Sequence, residues 1–152
     1  MALEVVLDDD VVLAAPLRTR LRREVARMVR AAALHDAKPD YDVALRLCTD
    51  AAIKGLNRAW RGKDKPTDVL AFAQREAASA DAALLGDLVI SLDTAQRQAK
   101  RGLYKELLHL ASHGLRHLLG YDHRDDAEDA TMNARAAALR REAGRSGRVR
   151  AA

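Results

Sequence analysis

Three histidines stand at H-x3-H-x5-H spacing, His113, His117 and His123, with Gly120 between the second and the third. Four of the five histidines (His109, His113, His117, His123) fall within fifteen residues, a clustering that packing does not demand. Residues four apart on a helix leave the same face about one turn apart, so His113 and His117 can present two imidazoles to one ion. Gly120 suits the left-handed conformation that ends a helix, and the turn through Tyr121 and Asp122 then carries His123 round as a third ligand. Three neutral nitrogens leave one tetrahedral position for water, the composition of a catalytic zinc centre and not of a closed structural one. Zn2+, one per chain, is the expected ion, with Ni2+ the alternative that three imidazoles also suit.

The same spacing occurs in the metzincin peptidase pattern H-E-x-x-H-x-x-G-x-x-H. The three histidines and the glycine fall in register, but Gly114 stands where the peptidase carries its general-base glutamate. Without that carboxylate a zinc-bound water lacks its usual proton acceptor for amide hydrolysis. Met132 lies within a predicted helix and makes a poor Met-turn. The ligand frame is that of a metalloprotease; the proton chemistry is not.

The stretch His113-Gly-Leu-Arg-His-Leu-Leu-Gly-Tyr-Asp-His123 resembles the signature of the YbeY endoribonucleases, bacterial zinc-dependent enzymes of ribosomal RNA maturation. The resemblance extends to Asn57-Arg-Ala-Trp-Arg61-Gly-Lys-Asp-Lys-Pro-Thr-Asp-Val-Leu-Ala-Phe72 and to Leu85-Gly-Asp-Leu-Val-Ile90, about the central half of the chain. It implies a mixed sheet with flanking helices, zinc on His113, His117 and His123, and a functionally important arginine at Arg61. It also implies RNA as substrate, with ribosomal RNA and the small ribosomal subunit as partners. Ala71 and Ala73 depart from the family, which often has Ser and Pro there, and Arg116 stands where an apolar residue is common. Neither departure is expected to touch a ligand.

Phosphodiester cleavage gives the missing glutamate a physical resolution, because negative charge spreads over phosphoryl oxygens that a cation can stabilise directly. A guanidinium can hold two such oxygens at once, which makes Arg61 the candidate phosphate clamp. Arg61 and His113 are therefore the residues on which catalysis is expected to depend. The zinc-bound water would act as nucleophile or as base toward the ribose 2′-OH. Candidates to hydrogen-bond and orient the ligating imidazoles are His109, Asp68, Asp87 and Asp122. His109 equally suits a packed polar residue, and Asp122 equally suits the cap of the next helix. Lys63 and Lys65 beside Arg61, and Arg20, Arg23 and Arg27 on a basic helix face, are candidates for contact with RNA. Two other functions use the same residues: a zinc peptidase, opposed by Gly114, and a non-catalytic ribosome-associated factor with a structural metal.

The elements that must position these residues follow from periodicity. Leu3 to Leu7 reads as a strand. From Pro16, Leu17, Leu21, Val25, Met28, Val29 and Ala32 recur at helical spacing, and His35 lies near that helix's end. Tyr41 to Leu47 reads as a second strand, with Cys48 a small core residue. Asp50 is the expected N-cap of a helix to about Arg61, with Ile53, Leu56 and Trp60 buried and Asp50, Lys54, Asn57 and Arg61 on the opposite face. Thr67 to Phe72 and Leu85 to Leu92 read as two further strands. Asp93-Thr-Ala-Gln96 resembles a capping box for a short helix that Gly102 ends. A central buried helix spans about Leu103 to Leu119, and Asp125 and Asp126 begin a last one. The order β-α-β-α-β-β-α-α-α implies an α+β (α/β sandwich) fold, a mixed four-stranded sheet flanked by about five helices. One domain over residues 1–143 and a basic tail over 144–152 are expected.

The bounds agree with that reading. The 152 residues are 49% hydrophobic and 32% charged but only 3% aromatic, so the core must rest on aliphatic side chains. A net charge of +4 favours a polyanionic partner. Cys48 is the only cysteine, which excludes an internal disulfide and suits a reducing compartment. The first residues carry no basic-then-apolar signal, and no apolar run approaches the ~20 residues that span a bilayer. A cytoplasmic monomer without a membrane partner is the expectation.

Overall fold

The computed structural model describes residues 3–35, 41–73 and 84–119. These contain β1 (Leu3–Leu7), α1 (Ala15–His35), β2 (Asp42–Cys48), α2 (Asp50–Arg61), β3 (Val69–Ala73), β4 (Leu84–Ser91), α3 (Leu92–Gln98) and α4 (Leu103–Leu118). The strands form one sheet in the order β1-β2-β4-β3. β1 and β4 both run parallel to β2, while β3 runs antiparallel to β4. This is the mixed α+β sheet that the periodicity predicts. Of the five predicted helices four lie among the described residues; the one beginning at Asp125 lies outside them, as do Gly120, Asp122, His123, Met132 and the basic tail.

Strand alternation divides the core in two. Val43, Leu45 and Leu47 of β2 join Leu88 and Ile90 of β4 against α1 and α4. The intervening Cys48 and Val89 join Leu70 and Ile53 beneath α2, on the opposite face. Helix α4 is the most deeply embedded of the described helices: Leu107, Ala111, Leu115 and Leu118 are wholly buried, and Leu110 nearly so. Burying a leucine side chain contributes roughly 2 kcal/mol, so this stripe fixes the face that α4 turns to the sheet. Cys48 belongs to the core, and burial pushes its thiol up to about 11. It is not a nucleophile.

The helix ends differ in detail from expectation. Thr49, not Asp50, caps α2, accepting from the Ala52 N–H at 3.3 Å. Asp50 is the first helical residue, and its carboxylate accepts from Ser91 Oγ and Thr94 Oγ1, each at 2.6 Å, and pairs with Arg97 at 2.8 Å. Burial raises the Asp50 pKa, but the bonds from Arg97, Ser91 and Thr94 outweigh it and hold the carboxyl below its ordinary value. In return Asp93 accepts from the Asp50 N–H at 2.9 Å. Ser91 caps α3 in place of the predicted box at Asp93, accepting from the Thr94 N–H. Gly102 does not end α3, which stops at Gln98; with φ at 98° it precedes α4 instead. A serine or threonine hydroxyl competes well with a carboxylate for a helix's first N–H groups, which frees Asp50 and Asp93 to link the two helix starts.

Candidate active site

His113 and His117 lie one turn apart on α4, their ring centroids 5.2 Å apart and the rings inclined at 81°. Both line a cavity of about 250 Å3 shared with Arg61, Thr67, Asp68, Ala71 and Gly114. Arg61 comes from the last turn of α2, Thr67 and Asp68 from the connector that follows, and Ala71 from β3. Residues 52 positions apart in the chain, Arg61 and His113, thus face one space.

Arg61 owes its position to how α2 ends. Gly62 adopts φ 70°, and its N–H donates to the Arg58 carbonyl while Lys63 N–H donates to that of Asn57. This glycine-based stop satisfies the last carbonyls and turns the chain away. Asn57 is 1% exposed, and its Nδ2 donates to the Lys65 carbonyl at 2.9 Å. The expectation that Asn57 shares the solvated face is therefore corrected: it pins the connector that carries Thr67 and Asp68. Trp60 is likewise inverted, 72% exposed where a buried position is predicted, because α2 packs on the sheet through Ile53, with Ala52 and Leu56 beside it. Its ring meets Phe72 edge-on at 5.9 Å.

Asp68 is the carboxylate of the cavity. Its Oδ1 accepts from the Val69 N–H at 2.8 Å and its Oδ2 from Gln98 at 3.3 Å. Asp87 lines a different groove, on the α2 side of the sheet. It pairs across the ladder with Phe72, and alternation along β4 turns it away from the face that α4 covers. Asp87 is therefore not brought to the cavity that His113 and His117 line. His109 is exposed and stacks on His113 at 6.4 Å and 24°, but lines a separate groove.

Arg116 overturns another expectation. It is 1% exposed, and its Nη2 lies 2.9 Å from His113 Nδ1. Spacing of three along α4 brings the two side chains together, so this departure from the family does touch a ligand candidate. A guanidinium has no acceptor, so Nδ1 accepts. Burial pulls the His113 pKa down to about 4, with the Arg116 and His117 charges acting the same way and Asp68 opposing. His113 is therefore neutral at neutral pH, the state that ligates metals. Two imidazoles one turn apart, that of His113 neutral, offer two nitrogens of the kind a borderline divalent ion takes, while among the described residues no group of three ligating side chains comes together.

The basic candidates divide. Lys63 and Lys65 are exposed in the connector beside Arg61. Arg27 pairs with Glu24 at 3.1 Å, and the Arg20 guanidinium lies over the Tyr104 ring at 4.1 Å. Arg23 lines a groove of α1 with Arg18, Arg22 and Arg30. None of the α1 arginines borders the histidine cavity.

The family model of endoribonuclease YbeY matches residues 14–144. An endoribonuclease YbeY from Synechococcus sp. (strain RCC307) is 52% identical over 106 residues, 65% of this chain and 66% of that protein. One from Moorella thermoacetica is 44% identical over 136 residues, 82% of this chain and 87% of that protein. The solution structure of TM1509 from Thermotoga maritima superposes with a TM-score of 0.57 at 25% identity, covering 92% of this chain and 87% of that one. The chain belongs to the endoribonuclease YbeY family.

Proposed function

We propose that this protein is a metal-dependent endoribonuclease that cuts single-stranded RNA in ribosomal RNA maturation, with His113, His117 and His123 holding one zinc ion. The observation that carries this reading is the meeting of Arg61 with His113 and His117 in one cavity, from elements distant in sequence. When bound, the ion supplies Lewis acidity toward a phosphoryl oxygen and a water of lowered pKa. The chain's own residues do the rest. Arg61 donates to two non-bridging oxygens of the scissile phosphate and fixes its orientation. Asp68 offers a negative charge near His113, opposing the effects that lower its proton affinity. Gly114, beside the first histidine, leaves the cavity without the side chain a peptidase needs.

Lys63 and Lys65 extend the positive surface along the strand of RNA, and ribosomal RNA in the small subunit is the proposed substrate. Nickel is the alternative ion. No helix among the described residues is long and apolar enough to cross a membrane, and we place the enzyme in the cytoplasm as a monomer.

The test is cleavage of single-stranded RNA by purified protein, with elemental analysis of the same preparation. About one zinc per chain, chelator-sensitive cutting, and a loss of roughly 100-fold or more in both Arg61→Ala and His113→Ala are expected. Full activity in both variants would remove the reading.

A further inference from the structure

A second groove, about 850 Å3 in volume, lies on the α2 side of the sheet. Its walls include Leu56, Leu70, Phe72 and Val89, and Trp60 stands at its rim. An indole that is 72% exposed leaves a large apolar surface in water, the kind of exposure that marks a binding site when it borders a groove. Trp60 is not a loose side chain, because the edge-on contact with Phe72 at 5.9 Å and 68° sets the plane of its ring.

The groove adjoins the histidine cavity: Arg61 and Ala71 line both. Charge is sorted along that boundary. Within the groove lie Asp87, whose carboxylate repels a phosphate, and Arg46, which gives two hydrogen bonds to Asp8 at 2.8 and 2.7 Å. At the boundary stands the exposed guanidinium of Arg61. An anionic group is thus favoured at Arg61 and disfavoured further in, while a flat apolar group is favoured against Trp60 and the aliphatic wall.

We propose that this groove is a subsite for the base of an unpaired nucleotide whose phosphate lies at Arg61, the base stacking on Trp60. The proposal rests on the RNA-cleaving reading above and adds the course of the strand, with base on the α2 face and phosphate at the junction. Stacking on an aromatic ring tolerates any base, since each has a π-face. The faces of the base meet Leu56 and Trp60. Only an unpaired nucleotide can use the groove, because a paired base keeps its faces within the duplex stack.

Trp60 is the only tryptophan in the chain, so its emission reports this ring alone. A short 2′-O-methyl oligonucleotide, which lacks the hydroxyl nucleophile, is titrated into the metal-loaded protein, with binding read by anisotropy of a labelled copy. Quenching of Trp60 over the same concentration range is expected. An oligomer of abasic sugar-phosphates should bind roughly tenfold more weakly and leave the emission unchanged. Trp60→Ala should lose about the same factor for the full oligonucleotide, and Trp60→Phe, which keeps an aromatic plane, should stay within a few-fold of the natural protein. Unchanged emission when the natural protein binds the oligonucleotide, together with full-affinity binding by Trp60→Ala, overturns the subsite and leaves the RNA reading standing. Absence of oligonucleotide binding together with absence of RNA cleavage overturns both.

Discussion

A guanidinium beside an imidazole is an uncommon companion for a metal ligand, because ligating histidines ordinarily pass their second N–H to an acceptor, which raises their basicity. Arg116 does the reverse at His113, one of the proposed ligands, donating to Nδ1 from a buried position. A ring held this way is a poorer electron donor, and an ion that binds it must work against the contact. Arg116→Leu, which removes the guanidinium and keeps the position apolar, is therefore expected to bind zinc more tightly by roughly tenfold, measured by competition with a chromogenic chelator. Equal or weaker binding would show that Arg116 supports the ligand instead. Neither the burial of Arg116 nor its contact was legible in the sequence. An arginine in an apolar register reads as an anomaly, and only the packing of α4 reveals which neighbour it meets.

At the scale of elements, Gly86 carries a constraint that its neighbours do not. With φ at 143°, a Cβ there would lie 2.2 Å from the Phe72 carbonyl oxygen and 2.9 Å from Leu118 Cδ2. The glycine lets β3 lie close to β4 and brings α4 down on the pair. Gly86→Ala is expected to destabilise the protein by about 3 kcal/mol or more, read as a shift in the urea midpoint; a change below about 0.5 kcal/mol would mean that the strands separate without cost. The elements themselves were largely legible, since alternation in β2 and helical spacing in α1 and α4 each bury what the pattern says they bury. What the pattern did not show were the exposure of Trp60, the burial of Asn57 and the face of Asp87. A pattern sends the largest apolar side chain inward, yet α2 meets the sheet through Ile53 and Leu56 and leaves Trp60 outside. Asn57 is buried by a carbonyl eight residues on, and the face of Asp87 depends on its register against β3. None of these is local information.

For the molecule as a whole, the ion pair between Asp8 and Arg46 ties the turn after β1 to the middle of β2. The hydrogen bonds from Arg46 hold the Asp8 carboxyl below its ordinary range. A depressed carboxylate pKa stabilises the fold above the unfolded value, and that contribution is lost as pH falls through the folded value. Natural protein and Arg46→Met should therefore differ in a pH-dependent part of stability, up to about 1 kcal/mol near pH 7, that begins to shrink as pH falls below the ordinary carboxylate value of about 4 and is gone only once pH is below the lowered folded value as well. Urea unfolding at several pH values measures it, and a gap that does not close on acidification would assign the effect to packing. The site, too, is a whole-molecule property. The histidine spacing and Arg61 are visible in the chain, but their shared cavity exists only because β3 lies between α2 and α4.

The linkage of Asp50 to Ser91, Thr94 and Arg97 lies at the start of α2, and Arg61 lies at its other end. Twelve residues of helix make a rod roughly 18 Å long, so a tilt of only about 3° at the anchored end swings the tip by about 1 Å. Displacement of that size is enough to cost up to about 100-fold in rate when it falls on a positioning group. Asp50→Ala is accordingly expected to slow RNA cleavage by roughly 10- to 100-fold with metal content unchanged. Undiminished cleavage would mean that packing alone aims the helix. The bonds that join two helix starts thus act as the pivot of a lever, and set how accurately a guanidinium at the far end meets a phosphate.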